Sequence, residues 1–228
     1  KVLYRRIDKN LQICYIKISK NARNDSSVIN QILTDRKGGN VMLFQTTAEH
    51  EQLRAKIRAF AEEEIKPIAF SLDQENRFPD EAVKKLGEMG LMGIPYPKEY
   101  GGAGLDILSY AIAVEELARI DGGSGVILSA HVSLGSFPIF AYGNEEQKQK
   151  YLVPLAKGEK IAAFGLTEPN AGSDAGGTET TALDKGDYYL LNGGKIFITN
   201  APKADTYVVF AVTTPDIGTR GISAFIVE

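Results

Sequence analysis

The sequence predicts an α+β chain in which an all-helical segment precedes a segment of short strands. Two observations carry this. Between residues 46 and 158, apolar residues recur at three- and four-residue steps, the period of a helix face. After Gly158 they come in short β-branched or aromatic runs separated by Gly, Asn, Asp and Pro, as strands do. Such a change along one chain reads as two modules in series.

Composition bounds the reading. With 43 % apolar and 24 % charged residues the 228-residue chain is an ordinary globular sequence, long enough for a sizeable core. A net charge of -3 supplies no general basic surface for nucleic acid. The longest apolar stretch, 126–141, is punctuated by Ser129, His131, Ser133, Gly135, Ser136 and Pro138. It therefore falls short of the ~20 apolar residues of a membrane span. Cys14 is the single cysteine, so no intrachain disulfide forms, which suits a reducing, cytoplasmic setting.

The first 41 residues stand apart. They hold nine Lys and Arg against three Asp, a charge of +6, which leaves -9 for the rest. They alternate only weakly, around Leu11, Ile13, Tyr15 and Ile18, and predict a poorly ordered arm with one short strand. The arm begins with Lys1 and is rich in Asn, Ile and Lys, as translated AT-rich noncoding DNA would be. Gly38-Gly39 can be encoded with a GGAGG ribosome-binding run shortly before the codon of Met42. Residues 1–41 are therefore expected to be a non-native leader that makes no contact with the core, with Met42 as the start. A transit peptide fits less well, because Asp8, Asp25 and Asp35 interrupt the stretch and no helical face is visible.

Five helices are predicted in order. Thr46 or Thr47 caps the first, with Glu49 and Glu51 in its first turn and Leu53, Ile57, Phe60, Ala61, Ile65 and Ile68 on one face. The second runs from Pro79 and Asp80 to Met89 and stops at Gly90. Residues 94–104 form a Pro/Gly loop. The third spans 106–120, and the fourth, the most apolar and so the central one, spans 124–142. The fifth begins at Asn144 and ends at Gly158. Strands are expected at 161–166, 188–191, 195–199, 206–213 and 221–227.

Two local motifs carry chemistry. The strand entering Phe164-Gly165-Leu166-Thr167 runs into a turn of small residues ending Ala171-Gly172-Ser173-Asp174. Such a turn can present backbone N–H groups and a hydroxyl to an anion; by composition alone it also reads as a plain surface loop. Asn192-Gly193 is a hairpin signal. In the strand after it, Phe197 and Thr199 share one face and Ile196 and Ile198 the other, so an aromatic and a hydroxyl could hold a planar ring. Gly101-Gly102-Ala103-Gly104 follows no strand and is not a dinucleotide fingerprint. His50 and His131 lack metal-ligand spacing and read as surface or satisfied core residues, and no metal site is expected. Glu115-Glu116 reads as a solvated helix face. No serine sits in a G-x-S-x-G.

Taken together, GLTEPNAGSDAGG at 165–177 resembles the first signature of the acyl-CoA dehydrogenases, and KIFITN at 195–200 resembles that family's flavin-contacting strand. KEYGGAG, NEEQKQKYL and GTRGISAFIVE stand in the family's order. The likeness runs from Met42 to Glu228 and is closest to the short-chain, butyryl-CoA branch. It implies an N-terminal helical domain over 42–158 and a middle β-barrel-like domain over 159–228. A C-terminal helical bundle, absent from these 228 residues, would carry the catalytic base. No catalytic residue is therefore expected in this chain, and the 228 residues alone are expected to fold poorly and be inactive.

The resemblance further implies FAD. Phe164, Gly165, Leu166, Thr167, Gly172 and Ser173 would lie along the flavin ring and pyrophosphate, with Leu166 and Thr167 at the pyrimidine side. Ser173 would also meet the CoA portion of the substrate. Phe197, Ile198 and Thr199 would cover the flavin face away from substrate. Many relatives carry Trp where Phe197 stands, so Phe keeps the stacking surface without the indole N–H. Ile127 and Ala130 would close a short acyl pocket. In this family a glutamate takes the α proton of an acyl-CoA while hydride leaves the β carbon for the flavin, and an electron-transferring flavoprotein then accepts the electrons. A homotetramer is implied for the full-length enzyme. The alternative is a non-catalytic flavin- or DNA-associated relative.

Overall fold

The computed structural model describes residues 14–16 and 45–228. The remaining expectations for the basic arm, and the start at Met42, lie outside the described residues. Cys14–Ile16 forms strand β1 and pairs antiparallel with 224–226. For these three residues the expected lack of contact with the core is corrected: backbone pairing with an open sheet edge supplies the contact.

Helix α1 covers 48–75, as Ala48–Phe60, a wide turn Ala61–Ile65, and Lys66–Glu75. Thr47 is its N-cap. The Thr47 hydroxyl accepts from the His50 amide, and His50 Nδ1 accepts from the Thr47 amide at 3.0 Å, a reciprocal cap with His in the usual Glu position. His50 Nε2 reaches Asp106 at 3.0 Å, and Asp106 accepts the Ser109 amide at the start of α3. One imidazole thus joins two helix N-termini.

Helix α2 is Asp80–Glu88, α3 is Ile107–Ala118, α4 is Gly122–Tyr142 and α5 covers 145–156. Gly90, at φ 74, turns the chain out of α2 as expected. The wide, i→i+5 turns Ala61–Ile65, Ala130–Ser136 and Lys148–Leu152 each end two residues before a proline: Pro67, Pro138 and Pro154. Proline offers no N–H to the ladder and crowds the preceding turn. Widening that turn lets the helix continue through it, which is why Pro138 does not break α4.

Helix α4 is long and apolar enough to cross a membrane, at 21 residues with mean hydropathy 1.4 over an 18-residue stretch. The serines and Gly135 do not interrupt it. Its apolarity has another cause, since 56 % of that stretch is buried inside the fold. Ile127, Leu128, Val132 and Ile139 pack there with Ile57, Leu86, Met92 and Leu117. The neighbouring Glu116 corrects the solvated-face reading. It is 1 % exposed and bound by Arg54 and Arg58 at 2.9 and 2.8 Å.

The strands form one mixed sheet: β2 Ala162–Gly165, β3 Thr181–Asp184, β4 Tyr189–Asn192, β5 Thr206–Val212 and β6 Ile222–Val227, with β1. The order is β1-β6-β5-β3-β4, with β2 parallel to β5. The hairpin formed by β3 and β4 turns through Lys185–Tyr188, and Asn192-Gly193 is not a hairpin turn. Strand β3 has no counterpart among the expected strands.

Candidate functional site

The expected strand at 195–199 is not a strand. Gly193, at φ 155, passes so close to Thr180 that a Cβ there would lie 2.4 Å from its hydroxyl oxygen. The chain leaves the sheet edge at that point. Phe197 sits in the left-handed region at φ 54, uncommon for a bulky residue, so the two-face alternation does not form. Its ring is 90 % exposed, while Ile196, Ile198 and Thr199 are half-buried.

The segment is nonetheless fixed against β2 and the turn beyond it. The Ile196 amide donates to Thr167 O at 2.9 Å. Lys195 Nζ donates to Leu166 O at 3.0 Å. At the other end, Asn200 Nδ2 donates to Ala162 O and to Ile127 O, both at 3.2 Å. Residues 195–200 therefore run antiparallel beside 162–167, so Phe197, Ile198 and Thr199 lie along Phe164, Gly165, Leu166 and Thr167. The same Asn200 brings the main chain of Ile127 to this place.

A buried ion pair holds the crossing. Lys195 Nζ and Glu168 Oε1 are 2.5 Å apart, at 11 % and 3 % side-chain exposure. Glu168 also accepts the Glu179 amide at 2.7 Å and the Thr180 amide at 3.1 Å. Burial alone would push the Glu168 carboxyl up. Hydrogen bonds from Lys195, Thr180 and Glu179 outweigh it and hold the group below its ordinary value. Burial pushes the Lys195 ammonium down against the pull of Glu168. With both oxygens occupied, Glu168 is a structural anion and not a proton acceptor.

Beyond Glu168 the chain doubles back through reciprocal amide bonds with Ala171. This turn presents Gly172 and Ser173 at the surface, and a Cβ at Gly172 would meet nothing within 4 Å. Asp174 caps the following turn by accepting the Gly176 amide. Among the described residues, the hydroxyls of Thr167, Ser173 and Thr199 and the amides of Thr167, Gly172 and Ser173 have no intramolecular partner. Phe164 differs: its ring packs on Phe210 with centroids 5.0 Å apart. Ile127 and Ala130 are buried in α4, at 7 % and 5 % exposure. A cleft of about 450 Å³ between Tyr96, Tyr100, Phe137, Phe140 and Lys148 contains none of these residues.

The arrangement suits an elongated ligand with a planar ring and anionic groups. Phe197 offers a stacking surface, Thr167 and Thr199 flank it with free donors, and the Gly172-Ser173 turn offers amides to a phosphate. The fit to FAD thus rests on an exposed aromatic ring beside unpaired donors. Sequence reasoning passed over Lys195 and Asn200, although both stand in the KIFITN motif. A lysine at the head of the apolar run Ile196-Phe197-Ile198 was the available signal.

The family model described as acyl-CoA dehydrogenase, N-terminal domain, matches residues 47–159, and that for the middle domain matches 163–228. The chain is 62 % identical over 187 residues to a short-chain-specific acyl-CoA dehydrogenase of Clostridium acetobutylicum, covering 82 % of this chain and 49 % of the relative. It superposes on butyryl-CoA dehydrogenase from Megasphaera elsdenii with TM-score 0.78 and 44 % identity, over 82 % of this chain and 50 % of that one. A chain in a structure of the electron-transferring flavoprotein of Acidaminococcus fermentans gives TM-score 0.79 and 52 % identity, over 82 % and 49 %. The chain spans about half the length of the curated relatives it matches. With both family models matched in order across the helical and the strand segments, the protein belongs to the acyl-CoA dehydrogenase family.

Proposed function

We propose that this chain supplies the helical and middle portions of an FAD-dependent enzyme that removes hydrogen from the α and β carbons of a short-chain acyl-CoA. The observation that carries the reading is the pairing of 195–200 with 162–167. It sets an exposed Phe197 beside the free donors of Thr167 and Thr199, in the order of the family's signature. Bound FAD would supply the two-electron acceptor, chemistry that no side chain provides.

The chain's own residues bind and orient. Leu166 and Thr167 hold the pyrimidine side of the ring, Phe197, Ile198 and Thr199 cover one face, and Gly172 and Ser173 meet phosphate. Ser173 also meets the CoA portion. Ile127 and Ala130 limit the acyl pocket to about four carbons, as in butyryl-CoA. No catalytic base is assigned among the described residues. Electrons leave to an electron-transferring flavoprotein, and the active protein is a homotetramer.

The test uses the protein expressed from its full reading frame. Thr167→Ala and Ser173→Ala are expected to lower flavin content or butyryl-CoA affinity, since a hydrogen bond to a charged group is worth ~1.5–3 kcal/mol. Unchanged flavin content and unchanged CoA-ester affinity in both variants would refute the assignment.

A further inference from the structure

We propose that Lys195 is a positioning residue that sets how strongly the Leu166–Thr167 peptide donates to the electron-rich edge of a bound flavin. The inference rests on the flavin reading above and deepens it.

The argument begins with peptide geometry. The Leu166–Thr167 bond is trans, as are all described peptide bonds, so the Leu166 carbonyl and the Thr167 N–H point in opposite directions. Lys195 Nζ holds that carbonyl at 3.0 Å. The Thr167 N–H is therefore aimed away from the buried ammonium, and it has no partner among the described residues. The Thr167 carbonyl is fixed separately by the Ile196 amide at 2.9 Å. Both peptides flanking Thr167 are locked, and the backbone N–H of Thr167 is left free.

The charges then form an ordered series. Behind the free N–H lies the Leu166 carbonyl, then the Lys195 ammonium, then the Glu168 carboxylate at 2.5 Å. Glu168 is anchored by the amides of Glu179 and Thr180. Along this chain of hydrogen bonds the positive member adjoins the peptide and the negative one follows it. Hydrogen bonds in such a chain polarise one another, more strongly where water is excluded. An ammonium on a carbonyl oxygen makes the N–H of the same peptide a better donor. Two-electron reduction places negative charge on the pyrimidine side of a flavin, and charge near that edge is a lever on its electronics. Lys195 should therefore favour the reduced form, and Glu168 should temper it.

This arrangement predicts effects of opposite sign. With FAD-loaded protein from the full reading frame, the two-electron flavin potential is measured by dye equilibration at pH 7, alongside flavin content and the absorption spectrum. Lys195→Met is expected to lower the potential, because it removes the near positive charge and leaves the far negative one. Glu168→Gln is expected to raise it, because it keeps the side-chain shape while removing the negative charge. Lys195→Arg, which preserves the charge, should stay close to wild type. If Lys195→Met does not fold, Glu168→Gln carries the sign test alone.

Potentials equal to wild type in the folded variants, or a shift of the same sign in Lys195→Met and Glu168→Gln, would overturn the proposal. Shifts of the same sign would indicate loosening of the turn, not a directed field. Wild-type protein that holds no flavin would overturn the flavin reading and this inference together. Flavin-loaded wild type with unmoved variants overturns the inference alone.

Discussion

The Ala162 amide donates to Nδ1 of His131 at 3.0 Å. An amide can only donate, so Nδ1 must be unprotonated, and Nε2 carries the hydrogen that reaches Leu155 O at 3.1 Å. One buried imidazole on α4 thus joins α5 to β2. Its tautomer is set by those two partners.

That geometry makes the fold sensitive to acid. Burial, against opposing hydrogen bonds that the ring donates to backbone carbonyls, pushes His131 down from 6.5 to about 4. The folded form therefore keeps the ring neutral where the unfolded chain would already protonate it. The contribution is complete above pH 6.5 and is lost as pH falls from there through about 4. At about 1.4 kcal/mol per unit the full loss is on the order of 3 kcal/mol. Urea midpoints measured from pH 7 to pH 4 should fall in wild type and fall less in His131→Gln. Parallel slopes would remove His131 as the cause.

Gly135 stands one turn along α4 from His131, and a Cβ there would lie 2.4 Å from the Ala162 Cβ. The same face of α4 therefore presses on the same strand residue. Gly135→Ala is expected to cost about 1–3 kcal/mol by overpacking. Adding Ala162→Gly should recover part of that loss, because it removes the atom that is struck. A double variant no more stable than Gly135→Ala alone would place the strain elsewhere.

Asn200 ties α4 to β2 through its two 3.2 Å bonds while holding φ 69, a conformation Asn tolerates better than most residues. Asn200→Ala should cost about 2–4 kcal/mol, combining backbone strain with the loss of two buried hydrogen bonds. Flavin retention should weaken with it, because Phe197, Ile198 and Thr199 lose their anchor. A Tm unchanged within error would contradict this.

The helices were legible because their signals are local. Thr47, Asp106 and Asn144 each cap the helix that follows them, and Gly90 ends α2. The continuation of α4 through Pro138 was legible from its near-continuous apolarity, but the widened turn that permits it was not. The site was legible only as order along the chain. Alternation in KIFITN suggested a strand, yet Gly193 is pressed against Thr180 and directs the chain off the sheet, and neither fact is encoded within the motif. The Glu168–Lys195 pair was not legible, because a buried pair becomes visible only once the turn brings positions 168 and 195 together. β3 escaped notice because its burial pattern exposes three of four residues.

The last prediction concerns acyl length. Ile127 and Ala130 stand three residues apart on α4, and the Ile127 carbonyl receives Asn200, so this part of the helix adjoins the segment read as covering the flavin. If these side chains close the acyl pocket, four-carbon thioesters should exceed eight-carbon ones in kcat/KM. The preference should be graded, since one methylene in an apolar pocket is worth only ~1–3 kcal/mol. Ile127→Ala should move the optimum toward longer chains, at a cost in stability of roughly 2–5 kcal/mol from the cavity left in the core. The two effects separate experimentally: a Tm loss with an unchanged chain-length profile marks Ile127 as packing only. A wild-type profile that is flat or rising out to eight carbons removes the short pocket altogether.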